Sequence, residues 1–201
     1  MKASTVKGEA SADRILDAAF ASIAAKGCGQ VTLRGIAEEA GVALSQLSYY
    51  YGTKGKLFAA VLARMQRGYL ATLGTWLDEQ KTLRGQALAL VNYNENVLRE
   101  SPDMYRSFLE FFNFAMSSES FRPYVAGFIS EISTMIEARM THRDHRDVER
   151  EGHSVSTITR FVLSSSFGIS LQHLLAPDNT DVLMGFEVMR SALAHMLTEA
   201  A

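Results

Sequence analysis

The stretch Thr32-Leu33-Arg34-Gly35-Ile36-Ala37-Glu38-Glu39-Ala40-Gly41-Val42-Ala43-Leu44-Ser45-Gln46-Leu47-Ser48-Tyr49-Tyr50-Tyr51-Gly52-Thr53-Lys54-Gly55-Lys56-Leu57 decides the architecture. Thr32 is the type of residue that caps a helix N-terminus. Leu33, Ile36, Ala37 and Ala40 recur at three- and four-residue spacing, which makes one apolar stripe. Gly41 supplies a left-handed stop, and Val42 folds back onto the stripe. A second short helix is expected over about 43–50, with Leu47 as its inward anchor. Ser45, Gln46, Ser48 and Tyr49 are then left facing outward. Such side chains do not build a core; they suit base edges and phosphates of duplex DNA. Thr53 reads as the cap of a long helix running to the high seventies. Lys54 and Lys56 in its first turn oppose the helix dipole by a few tenths to about 1 kcal/mol. That placement makes sense if an external anion, such as a DNA phosphate, sits where the free N–H groups point.

Upstream, Ile15, Leu16, Ala19, Phe20, Ile23 and Ala24 predict a helix from about Ser11 to Lys26, stopped at Gly27. Residues 1–10 lack periodicity and read as an arm. Downstream, helices are expected over roughly 84–100, 103–117, 119–142, 153–175 and 180–198. Breaks fall at Ser101-Pro102, Ser117-Ser118, the charged run His142–Gly152 and Pro177-Asp178-Asn179. The chain has 201 residues, 47% of them hydrophobic, and only three prolines. No sustained period-two alternation interrupts the helical spacing. The fold class is all-α, with about nine helices.

The net charge is −2, but residues 1–56 carry +2 and the remainder −4. The N-terminal segment is therefore the part expected to meet a polyanion. One cysteine, Cys28, excludes an internal disulfide and a multi-cysteine metal site. No apolar run of membrane-spanning length occurs. A cytoplasmic protein without cofactor or metal, and with no membrane partner, is expected.

Residues 15–64 resemble the TetR family of one-component transcriptional regulators. The residues that carry the resemblance are Gly27, Thr32, Ile36, Ala37, Ala40, Gly41, Val42, Leu47, Tyr50, Tyr51, Thr53, Lys54 and Leu57. More weakly, Phe108-Leu109-Glu110-Phe111-Phe112 and Gly168–Asp178 resemble the BetI-type subgroup. The resemblance implies an N-terminal arm and three-helix helix-turn-helix DNA-binding domain, taken here as 1–56. It also implies a larger helical ligand-binding and dimerisation domain, 57–201. Three positions depart from the family pattern. Ala43 replaces a capping Ser, Leu44 stands where a polar residue is common, and Gly52 and Gly55 loosen the link into the fourth helix.

By position in that pattern, Ser45 and Gln46 are the expected base readers, with Leu44 suited to a thymine methyl. Thr32, Arg34, Ser48, Tyr49, Tyr50 and Lys54 are expected to hold phosphates. Tyr51 is expected to pack. Trp76, Phe108, Phe112, Phe128, Ile132, Met135 and Phe167 are candidate lining residues for a largely apolar or aromatic effector. Ser166, Leu171, Leu174, Phe186, Met189 and Leu193, on the last two helices, are candidate residues of a homodimer interface. His142 and His145 lie among arginines that would repel a metal, so that segment reads as a solvated loop. Cys28 reads as packing. Ser164-Ser165-Ser166 lacks the nucleophile-elbow pattern, and no catalytic constellation stands out.

The expectation is a homodimeric repressor that binds a palindromic DNA operator and is released by a small molecule. The alternatives are an activator or effector-independent DNA binder, and a helical enzyme or carrier with a relic DNA-binding head.

Overall fold

A computed structural model of the chain describes residues 2–141 and 154–197. It comprises α1 (Lys2–Gln30), α2 (Leu33–Glu39), α3 (Leu44–Tyr51), α4 (Lys54–Asp78), α5 (Leu83–Glu100), α6 (Pro102–Ser117), α7 (Arg122–Thr141), α8 (Val155–Leu175) and α9 (Met184–Met196). A short 3-10 turn, Thr180–Leu183, leads into α9. No strand occurs among the described residues. The all-α expectation holds.

Local chemistry sets most helix ends. Thr32, Thr82 and Ser154 each accept the N–H three residues on, at 3.1, 3.0 and 3.1 Å. Ser101 leaves the helical region before Pro102, which opens α6 at the position where its missing N–H costs nothing. Two starts differ from the sequence reading. The first helix begins at Lys2, not near Ser11; no proline interrupts residues 2–10. The last begins as a 3-10 turn, because the Asn179 side chain accepts the Asp181 N–H at 3.2 Å. The His142 and His145 segment lies outside the described residues.

The chain forms two compact units. The first contains residues up to Gln66 together with Arg106–Phe128; the second contains Arg67–Tyr105 and the described residues from Ile129 on. In the first unit Ile15, Ala19, Ile23, Ile36 and Leu47 form the core under α1–α3. A second cluster is aromatic. Phe58 meets Phe111, Phe114 and Phe121 edge-on, with ring centroids 5.9, 5.7 and 6.4 Å apart.

In the second unit α5 packs against α8 and α9. Its buried Asn94 accepts from Tyr105 Oη at 2.8 Å and Tyr69 Oη at 3.2 Å, and donates to the Leu90 carbonyl. Tyr93 Oη donates to the Tyr69 carbonyl. The Tyr69, Tyr93 and Tyr105 hydroxyls and the Asn94 amide are thereby paired, as buried groups require. Burial pushes the Tyr69 and Tyr105 phenols well up from their ordinary value, so both remain donors.

Arg190 clamps α9 to α5. It donates to Glu95 at 2.7 Å, to Asn92 at 3.0 Å and to Glu187 at 2.7 Å. Arg99 adds two bonds to Glu95, at 2.9 and 2.6 Å. Burial alone would raise the Glu95 carboxyl, but the hydrogen bonds from Arg190 and Arg99 outweigh it and hold it below its ordinary 4.5. A carboxyl lowered in the folded state stabilises above its unfolded value and loses that contribution as pH falls through the folded one. Glu95→Gln is therefore expected to cost about 1.5–3 kcal/mol at pH 7. Denaturant titrations should show this cost shrinking below about pH 4.5; a cost independent of pH would exclude the charge as its source.

Candidate nucleic-acid interface

The head is built around α3. Leu47, fully buried, pins that helix to α1 and α2. The turn before it is a complete Schellman motif. Gly41 has φ 64, its N–H donates to Glu38, and the Val42 N–H donates to Ala37 at 3.0 Å. Only glycine adopts that φ without strain. Ala43 offers α3 no side-chain cap, as its substitution for serine implies. Gly52, φ 68, ends α3, and Thr53 caps α4 by accepting the Lys56 N–H at 3.3 Å.

Four braces hold the posture of these helices. Glu39 on α2 accepts from Ser22 at 2.6 Å and stands 3.9 Å from the Lys26 ammonium. Tyr51 on α3 donates to the Ala12 carbonyl at 3.2 Å. Arg64 on α4 pairs with Asp17 at 2.7 Å. Glu110 on α6 accepts the Cys28 N–H at 2.8 Å. Of these, only the packing of Tyr51 was read from the sequence. Glu39 did carry a signal: an acid in a last helical turn opposes the dipole, so it calls for a partner elsewhere.

The expected DNA-facing side chains take the outer positions. Tyr49 is 85% exposed and Leu44 39%. Ser45 and Ser48 are exposed; Gln46 and Tyr50 are half-buried. Tyr49 and Tyr50 meet edge-on at 5.6 Å, which stiffens that face. Thr32 and Arg34 are exposed at the start of α2. Lys54 is half-buried, its ammonium 5.4 Å from the centre of the Phe58 ring. Lys56 stands exposed beside it and joins the candidate phosphate-binding residues.

Cys28 is buried. Burial first, and then the Glu110 carboxylate, push its thiol up to about 12, with Lys54 partly offsetting them. A thiol so held stays protonated at neutral pH, which fits packing and not reactivity.

The candidate effector residues divide between the two units. In the first, Phe108 stacks on Phe112 at 6.5 Å and meets Phe128 at 5.0 Å. In the second, Trp76 lies edge-on to Tyr93 at 5.6 Å and Phe167 edge-on to Tyr105 at 5.7 Å. Met135 Sδ accepts from Arg139 at 3.2 Å, and Ile132 is buried. Phe108, Phe128 and Ile132 are core side chains; Trp76, Phe112, Met135 and Phe167 keep partial exposure.

The interface candidates differ in exposure. Ser166, Phe186, Met189 and Leu193 are at most 3% exposed within the single chain. Their own unit already covers them. Leu171 is exposed and Leu174 half-buried. The apolar side chains that α8 and α9 do expose are Phe161, Leu171, Leu175, Met184 and Val188.

Among the described residues no helix is long and apolar enough to cross a membrane, and no group of three or more His, Cys, Asp or Glu could hold a metal.

A braced helix-turn-helix with a polar outer face, joined to a helical body, defines a DNA-binding regulator. Residues 15–61 match the family described as bacterial regulatory proteins, tetR family. That segment is similar to the DNA-binding head of TetR-family transcriptional regulators. The chain is 29% identical over 108 residues to the HTH-type transcriptional regulator BetI of Brucella anthropi, a match covering 54% of this chain and 56% of that one. It is 23% identical over 189 residues to BetI of Brucella canis, covering 92% and 90%. Its fold is similar to that of the transcriptional regulator FadR from Bacillus subtilis in complex with stearoyl-CoA. The TM-score is 0.76 at 15% identity, covering 92% of this chain and 98% of that one.

Proposed function

We propose that the chain is a repressor that binds a roughly palindromic operator as a homodimer and is released by a small molecule. The observation that carries this reading is the outer face of α3. Ser45, Ser48 and Tyr49 stand exposed on a helix whose single anchor, Leu47, is fully buried. Gln46 is suited to a bidentate pair with adenine, and Ser45 to either base type. Thr32, Arg34, Ser48, Tyr49, Tyr50, Lys54 and Lys56 flank that face as phosphate-binding residues. In a two-fold dimer two such helices would enter successive major grooves about 34 Å apart.

The exposed apolar residues of α8 and α9 support dimerisation. Phe161, Leu171 and Leu175 fall on one side of α8 by helical spacing, with Gly168 between them. A Cβ on Gly168 would meet nothing within 4 Å in its own chain. Glycine inside a helix costs about 1 kcal/mol relative to alanine, so close approach by a second copy gives it a use. The partly exposed aromatic residues, and the stearoyl-CoA held by the FadR neighbour, favour a largely apolar effector. Such a molecule releases DNA only by binding better to the conformer that docks poorly. Operator DNA would then weaken effector binding by the same factor.

Selection of duplexes from a randomised pool by the pure protein tests this reading. A two-fold symmetric consensus is expected; no enrichment in dilute buffer would refute it. Two variants then separate the roles. Gln46→Ala should relax preference at one base position in each half-site, by about 1–3 kcal/mol. Lys54→Ala should weaken binding to every duplex and lower the salt slope by about 0.9 for each phosphate it no longer neutralises. An unchanged consensus, or an unchanged slope, would remove the corresponding assignment.

A further inference from the structure

Helix α1 breaks at Gly27 (φ 77, ψ 156), a few residues before α2, and Glu110 reaches that corner from α6, across 82 residues of sequence. Its Oε2 accepts the Cys28 backbone N–H at 2.8 Å. The bend admits the carboxylate only because residue 27 is glycine. Gly27 has φ 77, in the left-handed region, and a Cβ there would stand 2.7 Å from Glu110 Oε2 and 3.0 Å from Cδ. Backbone conformation and side-chain space thus demand glycine for two separate reasons.

This corner governs α2 and α3. Four residues after Cys28 comes Thr32, the cap of α2, and α3 hangs from α2 by the Gly41 turn. A shift of the corner is carried to the outer face of α3. Glu110 is also the only one of the four braces that comes from outside α1–α4. Its helix starts in the other unit, where Tyr105 is hydrogen-bonded to Asn94, and enters the first unit at Arg106. Helix α6 is continuous from Pro102 to Ser117.

We propose that Glu110 is a positioning residue for operator binding: through the Cys28 amide beneath Gly27, it sets the α1–α2 corner in the geometry that lets α3 dock. This rests on the DNA-binding reading of α3. The role of Glu110 is to accept one N–H at one distance, and its charge is secondary. Glutamine can do the same with its amide oxygen; aspartate, one methylene shorter, cannot reach.

The test compares Glu110→Gln, Glu110→Asp and Glu110→Ala on two probes: the consensus duplex selected by the parent protein, and a scrambled duplex of equal length. Glu110→Gln is expected to bind the consensus within about threefold of the parent. Glu110→Asp and Glu110→Ala should weaken about tenfold or more on the consensus and less than threefold on the scrambled duplex, since phosphate binding tolerates misplacement better than base readout. Hydrogen exchange at the Cys28 amide should quicken in Asp and Ala but not in Gln. If Ala fails to fold, the Gln and Asp pair still decides. Parent-like consensus binding by Asp, or a loss in Gln equal to that in Asp, would overturn the proposal. Failure of the parent to select any duplex would instead strike the DNA-binding reading itself.

Discussion

Phe58→Ala should destabilise the chain by about 3–5 kcal/mol, the range for truncating a fully buried aromatic side chain. Phe58 is at 0% exposure, and three other rings, those of Phe111, Phe114 and Phe121, rest edge-on against it. Removing it opens a cavity that these rings can only partly fill, because each is also held by another ring: Phe111 by Phe121 at 5.9 Å and Phe114 by Phe121 at 5.1 Å. Edge-to-face ring pairing worth about 0.5–1.5 kcal/mol per pair disappears as well. A domain-sized protein has only about 5–15 kcal/mol in hand, so the effect is a large share. For a chain of this length it corresponds to roughly a 10 °C fall in melting temperature. Phe58→Leu keeps most of the volume and should recover much of the stability. A fall below about 1 kcal/mol in Phe58→Ala would mean that the ring cluster is not closed around residue 58.

Phe58 also shows why some of this fold was legible in the sequence and some was not. The head was readable because its signals are local. Thr32, Gly41 and Thr53 each act on backbone groups within four residues, and the spacing of Ile36, Ala37 and Ala40 leaves one way to bury α2. The outward position of Ser45, Ser48 and Tyr49 followed from Leu47 being the single anchor. The braces are not local. Glu110 and Cys28, or Glu39 and Ser22, share no spacing that a pattern can detect.

Helices α8 and α9 are ambiguous for a different reason. Each carries two apolar stripes, and periodicity does not say which one its own chain covers. On α9, Phe186, Met189 and Leu193 face the core, while Met184 and Val188 are left outside. On α8, small Ser166 and Ser170 are buried, while Leu171 and Leu175 are exposed. Small residues that allow close approach were assigned to a partner, but they serve the packing of α8 within its own unit. The large residues assigned to the interface on α9 do the same. What remains for a partner is the set that looks wrong for a lone chain.

That remaining set carries the second large effect. The double variant Leu175→Glu with Val188→Glu is expected to convert a dimer into a monomer and to lower operator affinity by two to four orders of magnitude. Leu175 is 76% and Val188 67% exposed, so in an isolated chain both substitutions are nearly neutral. In a two-fold interface each glutamate would be buried twice without a partner, and buried unpaired charges are not tolerated. The affinity loss follows from valency. A dimer delivers its second head at an effective concentration in the millimolar range, which raises affinity about 10²–10⁴-fold over one head alone. The salt slope discriminates further. One head touches half as many phosphates, so the slope should fall to about half the parent's. Light scattering should report the mass of one chain, with helical content and melting temperature near those of a dilute parent sample. A variant that kept twice the chain mass and the full salt slope would place the interface elsewhere. A variant that became monomeric but kept parental affinity would show that one head suffices, and the palindromic operator would have to be abandoned.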